Sequence, residues 1–269
     1  MIKINRWASV VFAVLVGQSA GAWSQNSVFI EELTTQEISA LIKAGKTTVL
    51  VPIGGTEQNG PHMVVGKHNV RAKALAGKIG VQLGNALVAP VLAYTPEGNI
   101  DPPTEHMGFA GTISISDDAF KAVLLGTARS FQKHGFTDVV LLGDSGNYQK
   151  LLGQVAEQFN RGGKSAARVH FLSEYYRATQ TVYPDALRAK GLSATEIGTH
   201  AASADTSLLM AIDPAGVKPE RFADAARQGK SGGTAGDPRA ANAANGQLGV
   251  DAIVKMTVDA VKKATLATR

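Results

Sequence analysis

The 269-residue chain has no cysteine, so it can form no disulfide and offer no thiolate to a metal. Any ion must be held by His, Asp, Glu or Asn, and stability must come from an apolar core. Aromatic residues make up only 6% of the sequence, and its lysines and arginines are scattered without a basic run, which argues against a nucleic-acid partner. Tryptophan is confined to Trp7 and Trp23, so none is available to line a pocket in the body of the chain. No Pro/Ser-rich linker or shift of composition divides the sequence, which therefore reads as one domain.

Long apolar runs are also missing, with one exception. Trp7 to Gly17 (WASVVFAVLVG) follows Lys3 and Arg6 and precedes Ala20-Gly21-Ala22, the pattern of a secretory signal with a small-residue cleavage site. The run is shorter than the roughly 20 residues that span a bilayer. Residues 1–22 are thus expected to be a cleaved signal, and residues 23–269 a single periplasmic or secreted domain with no membrane attachment. Cleavage removes Lys3 and Arg6 and takes the formal charge from +5 to +3.

What the sequence does contain is an alternation of strand and helix patterns. Thr34-Thr35-Gln36-Glu37 has the spacing of a capping box and opens a helix with Ile38, Leu41 and Ile42 on one face. The β-branched run from Thr47 to Ile53 reads as a strand, Ala72 to Leu83 as a helix, and Ala86 to Leu92 as a second strand. Ser116 caps a helix reaching about Lys133, Asp138 to Leu142 is a third strand, and a helix from about Tyr148 to Phe159 precedes a strand at Arg168 to Leu172. Gly249 to Leu266 is a closing helix. Such alternation predicts an α/β fold with a mostly parallel central sheet covered on both faces. Ligands of such sheets bind beyond the carboxyl ends of the strands.

Two predicted strands end in chemically useful residues. The first runs into Gly54-Gly55 and then Glu57, Asn59, His62, Lys67 and His68, and the third runs into Gly143-Asp144-Ser145-Gly146-Asn147. His106 sits in a proline- and glycine-rich stretch from Ala93 to Thr112, long enough to be a functional loop. His200 and Asp205 are five residues apart, which separates them by about 140° on a helix, so His200 is placed in a loop and Asp205 in the first turn of the helix that follows.

These blocks resemble the creatininase (creatinine amidohydrolase) family. PIGGTEQNGPHMVVGKH is similar to its Glu-Gln-His-Gly-Pro-His block, His106 to Thr112 to a His-x-x-Phe-Pro-Gly-Thr block, Gly143 to Asn147 to Gly-His-Gly-Gly-Asn, and His200 to Ser207 to His-Ala-Gly-x-x-Glu-Thr-Ser. Gly236-Asp237-Pro238 resembles a late family turn. The resemblance implies a three-layer α/β/α domain, often a hexamer, that hydrolyses C–N bonds of small cyclic amides with two divalent metals bridged by an aspartate.

The chain departs from that pattern at the ligand positions. Glu57 matches the family's glutamate ligand, but Asn59 stands for a histidine, His68 for the bridging aspartate, Asp144 for a histidine and Asp205 for a glutamate. Gly146 stands for a glutamate, and Lys67 for a threonine. The His/Asp exchange between 68 and 144 keeps the formal charge of the Glu57, His68 and Asp144 trio, so these three are the expected ligands of one divalent ion (Zn, Mn or Fe). A second site is expected to be lost, because an imidazole cannot bridge two ions. The resemblance makes His200 the proton shuttle, with Asp205 orienting it or completing the metal shell. Asn147 is expected to orient a ligand or substrate. Lys67 would neutralise Asp144 or bind a substrate anion, and His62 and His106 are further candidates for the substrate side.

The expected function is metal-dependent hydrolysis of a small cyclic amide, lactam or lactone. Creatinine itself is not the expected substrate, because the implied creatininase pocket is lidded by tryptophan and the only tryptophans here are Trp7 and Trp23. A homo-oligomer is the expected assembly. The competing reading is a non-catalytic periplasmic binding or structural protein whose metal centre has decayed.

Overall fold

The computed structural model describes residues 27–161 and 167–266. The expected signal segment and both tryptophans lie outside the described residues. In chain order the elements are α1 (Thr35–Lys43), β1 (Thr48–Ile53), α2 (Lys67–Leu83), β2 (Ala86–Val88), α3 (Asp117–Lys133), β3 (Asp138–Gly143), α4 (Gln149–Asn160), β4 (Arg168–Phe171), α5 (Glu174–Gln180), α6 (Val182–Ala189), α7 (Ala194–Ile197), α8 (Ser203–Ile212), α9 (Phe222–Gln228) and α10 (Ala243–Leu266). Short 3-10 turns link several of them.

The four strands form one parallel sheet in the order β2-β1-β3-β4. Every residue of β1 and β3 is buried, as a parallel sheet with both faces covered requires. Alternate residues face opposite layers. Val49, Val51 and Ile53 of β1 pack with Val139 and Leu141 of β3 against Phe120, Leu124, Leu151 and Val155 of α3 and α4, while Leu50, Val140 and Leu142 pack against Leu75, Ile79, Tyr175, Leu208 and Ile253 of α2, α5, α8 and α10. Each such fully enclosed aliphatic side chain contributes about 1.5–3 kcal/mol relative to exposure. The architecture is therefore the three-layer α/β/α expected from the strand and helix pattern. Among the described residues no helix is long and apolar enough to cross a membrane.

Local signals in the sequence act as anticipated. Thr34 Oγ1 accepts from Glu37 N while the Glu37 carboxylate accepts from Thr34 N, completing the capping box, and Ser116 Oγ accepts from Ala119 N. Three boundaries differ by more than one residue, the first being the start of α10 at Ala243 instead of Gly249. β2 ends at Val88, before Pro90, which has no N–H to continue a ladder. α2 begins at Lys67 instead of Ala72, which moves Lys67, His68 and Arg71 out of the loop into a first helical turn.

That shift positions the site. Gly54, at the end of β1, lies so close to α2 that a Cβ would stand 2.8 Å from the Asn69 Cα, so only glycine fits. Tyr148, fully buried at the start of α4, donates to the Ile53 carbonyl and accepts from the backbone N–H groups of Asp144 and Ser145. One phenol thus ties the carboxyl ends of β1 and β3 together.

Candidate active site

The carboxyl ends of β1 and β3, the first turns of α2 and α8, and the loops carrying His106 and His200 meet around a cavity of about 490 Å³. Glu57, Lys67, His68, Arg71, His106, Asp144, Asn147, His200 and Asp205 all line it, so the structure gathers eight of the ten residues singled out from sequence and adds Arg71. Asn59 and His62 lie behind this surface. Tyr176, Tyr183, Pro184, Ile197 and Leu208 supply the less polar wall.

Glu57, His68 and Asp144 do come together, but as a hydrogen-bonded chain. His68 Nε2 is 2.8 Å from Glu57 Oε1 and Nδ1 is 2.6 Å from Asp144 Oδ2, so both ring nitrogens are engaged and no lone pair is left for an ion. Asp144 is equally committed. Its Oδ2 also accepts from Arg71 Nε and Nη2 at 2.9 and 2.7 Å, and its Oδ1 accepts from the Tyr175 hydroxyl at 2.9 Å. Burial and the Lys67 ammonium oppose a proton on His68, but the Glu57 and Asp144 carboxylates outweigh them and raise its pKa. Burial works against ionised Asp144 as well, and is overcome by Arg71 and His68, which hold its pKa low.

Arg71 continues the network to Asp205, donating from Nη1 to Oδ1 at 2.7 Å. Lys67 Nζ, wholly enclosed, lies 3.2 Å from Asp205 Oδ2 and 3.5 Å from Glu57 Oε1. Asp205 also accepts from the backbone N–H of Ala201, so it braces the turn that carries His200 without touching the imidazole. Burial disfavours both Glu57 and Asp205 as anions. His68 and Lys67 reverse this for Glu57, and Lys67 and Arg71 for Asp205, so both pKa values lie well below the carboxylate range.

A second cluster shares Glu57 and faces the open side. One ligand atom each from Glu57, His106 and His200 lies within 4.8 Å of the others. His106 Nε2 is 3.3 Å from Glu57 Oε2, and His200 Nδ1 is 3.7 Å from Oε1. His200 Nε2–H donates to the Gln58 carbonyl at 3.0 Å, which directs the Nδ1 lone pair toward Glu57, and the Gln58 amide stands 3.1 Å from both rings. Burial and the neighbouring Lys67 lower the His200 pKa to about 4, so the ring is neutral at neutral pH. Two imidazoles and a carboxylate are a donor set suited to a divalent ion with one position open, and on that chemistry these three residues fit one.

The remaining candidates hold the framework. Asn59 donates to the carbonyls of Glu57 and Val64 at 2.9 and 3.1 Å and so staples the loop, and its Oδ1 has no partner among the described residues. His62 is buried with Nε2 3.0 Å from Thr206 Oγ1. Asn147 donates to Glu97 Oε2 at 2.7 Å. Glu97, Arg71 and Tyr148 went unnoticed as site residues in the sequence. Arg71 had a signal, since it falls four residues before Leu75 on the apolar face of α2. Glu97 lies between Pro96 and Gly98 in the long loop. Burial and the adjoining Glu57 carboxylate push its pKa up to about 7.

Comparison with known proteins follows the same lines. The sequence profile of the Creatininase family, described as creatinine amidohydrolase, matches residues 31–261. A mycofactocin precursor peptide peptidase from Mycolicibacterium smegmatis is 31% identical over 236 residues, covering 80% of this chain and 84% of the relative. A creatinine amidohydrolase from Pseudomonas putida is 26% identical over 204 residues, covering 74% and 76%. Among solved structures, a creatinine amidohydrolase superposes with a TM-score of 0.75 at 23% identity, covering 89% of this chain and 98% of that one. A manganese creatininase superposes at 0.71 with 25% identity and a creatininase variant described as Zn-Zn type at 0.70 with 24%, each over 88% of this chain and 98% of the other.

Proposed function

The chain belongs to the creatininase family of metal-dependent amidohydrolases, and from that premise we propose that it hydrolyses an amide-type bond in a small molecule using one divalent ion per subunit. The observation that carries this reading is the Glu57, His106 and His200 cluster, whose donor atoms converge on the cavity. These three residues would hold Zn, Mn or Fe. Such an ion, when bound, lowers the pKa of water and polarises a carbonyl.

The protein's own groups divide the remaining work. His200, oriented by the Gln58 carbonyl, turns its Nδ1 toward Glu57, and on that geometry we assign it a ligand's part in place of the proton shuttle expected from sequence. Likewise His68 and Asp144 hand the ligand role to His106 and His200, because their bonding atoms are already committed to each other and to Arg71. Lys67 Nζ, enclosed between Glu57 and Asp205, keeps the Glu57 carboxylate ionised and in place. Asp205 and Asn147 position the His200 turn and Glu97, respectively.

A cavity of about 490 Å³ suits a small ligand, and a small cyclic amide, lactam or lactone other than creatinine is the substrate class we favour. A short peptide is the second reading, favoured by the 31% identity to a peptide peptidase. The basic, apolar and small-residue pattern at residues 3–22 supports export to the periplasm or beyond, and a homo-oligomer, as large as a hexamer, is the assembly we expect.

The test is elemental analysis of the mature protein after loading with Zn or Mn, joined to hydrolysis assays on panels of lactams, lactones and short peptides. About one ion per chain, absent from His106→Ala, together with turnover of one panel, supports the proposal. No bound ion under replete conditions would sink it and leave a binding protein that has lost its chemistry.

A further inference from the structure

The cavity has two halves, and the one away from His106 and His200 is filled by side-chain cations. Lys67 Nζ and the Arg71 guanidinium are enclosed with 0% and 2% of their side chains exposed, far from the usual place of either residue. Between them they contact all three carboxylates of the network. Arg71 spans Asp144 and Asp205, and Lys67 spans Asp205 and Glu57. A divalent ion placed among these carboxylates would do the same thing, drawing several anions onto one centre and cancelling their charge. We propose that Lys67 and Arg71 are resident cations that stand in for a second metal ion, leaving the centre able to take one ion only, at Glu57, His106 and His200.

Three observations carry this. First, the acceptor atoms are used up. Both oxygens of Asp144 and both of Asp205 already accept from Arg71, Lys67, Tyr175, His68 or the Ala201 N–H, so a second ion would have to break charged hydrogen bonds that are each stronger than a neutral one. Second, the charge is met. Three carboxylates face Lys67, Arg71 and the ring of His68, so at most one negative charge is left over, and one divalent ion more than matches it. A second would bury a large uncompensated positive charge. Third, the space is taken. A Cβ at Gly146 would stand 2.7 Å from the Tyr176 hydroxyl, so a side chain reaching into this half from position 146 has no room while Tyr176 keeps its place. The Zn-Zn creatininase variant shows that this fold can be built around two ions. Here the residues of the second half hold one another.

The ion count rests on the proposed function, whereas the role of Lys67 and Arg71 does not, and the test separates the two. Full-length mature protein is stripped with EDTA, and its thermal unfolding is measured before and after adding excess Zn or Mn, alongside Lys67→Met and Arg71→Met. Bound metal is counted after desalting. The wild type is expected to keep its fold in EDTA and to saturate at one ion. Arg71→Met should lose roughly 10 °C of Tm in EDTA and should regain more of it on metal addition than the wild type gains, because the freed Asp144 and Asp205 then recruit an ion. If Arg71→Met fails to fold, Lys67→Met, which removes the other cation and has fewer contacts, provides the same comparison. Two ions per wild-type chain, or variants as stable as wild type in EDTA, would overturn the proposal. No ion in the wild type with both variants destabilised would overturn the hydrolase reading and support the resident cations.

Discussion

The two halves of the centre share Glu57 and little else. On the open side His106 and His200 keep about a fifth of their side chains exposed, and their ring atoms approach Glu57 only to 3.3 and 3.7 Å, against 2.8 Å for His68. On the closed side His68, Arg71, Lys67, Asp144 and Asp205 satisfy one another almost completely. The contrast teaches that a cluster of chemically able residues is not by itself a binding site. What distinguishes the open half is unspent donor capacity, and what distinguishes the closed half is that burial has forced every charge to find a partner.

The largest expected effect comes from breaking the closed half. Asp144→Ala removes the acceptor that Arg71 and His68 share in the interior, leaving each with one carboxylate, and should cost about 3–5 kcal/mol of unfolding free energy in EDTA, while leaving the affinity of the open half for Zn within a few-fold. Urea denaturation and metal titration read the two separately. A stable Asp144→Ala protein that no longer binds an ion would show that the halves have been assigned the wrong way round.

His106→Ala is the mirror experiment. It should weaken ion binding by more than about 100-fold, as removal of a direct ligand must exceed what outer partners contribute, with little change in stability without metal. Equal ion affinity in this variant would remove the open half from the metal centre.

Glu97→Gln sharpens the boundary between the halves, because Glu97 adjoins Glu57 from behind and accepts from Thr95 and Asn147 at 2.7 Å each. The amide can still accept one of these bonds, so a loss of about 1 kcal/mol is expected, seen as a shift in denaturation midpoint. A loss as large as that of Asp144→Ala would make Glu97 part of the closed network.

The smallest effect concerns pH. Burial, with help from the Lys67 ammonium, lowers the His62 pKa to about 4 from its ordinary 6.5. Between those values the unfolded chain binds more protons than the folded one, so the stability contributed by neutral His62 is complete above 6.5 and lost as pH falls through 4. His62→Gln, which can keep the bond to Thr206, should reduce the slope of Tm against pH across that window. His200 adds a similar slope and remains. An unchanged slope would show that His62 takes up its proton as readily in the folded state.

Much of this was readable before folding. The capping box at Thr34, the β-branched runs of β1 and β3, and the polar residues at their ends announced a parallel sheet with its site at the strand termini, because backbone preference and hydrophobic period are local properties. Glu57, His68, Asp144 and His200 were found in the same way. What could not be read was the bonding among them. Whether His68 faces an ion or two carboxylates depends on the start of α2 five residues earlier than the apolar pattern suggests, and on Arg71 arriving beside Asp144, 73 positions away in the chain.

The sequence alone therefore determined the layered α/β fold, the family pattern and the residue types available for chemistry. Only the tertiary structure decided which of them remain free. Charge and lone pairs are spent on whatever neighbour lies within about 3 Å, and at Lys67 and Arg71 the deciding neighbours, Asp144 and Asp205, lie 73 to 138 positions further along the chain.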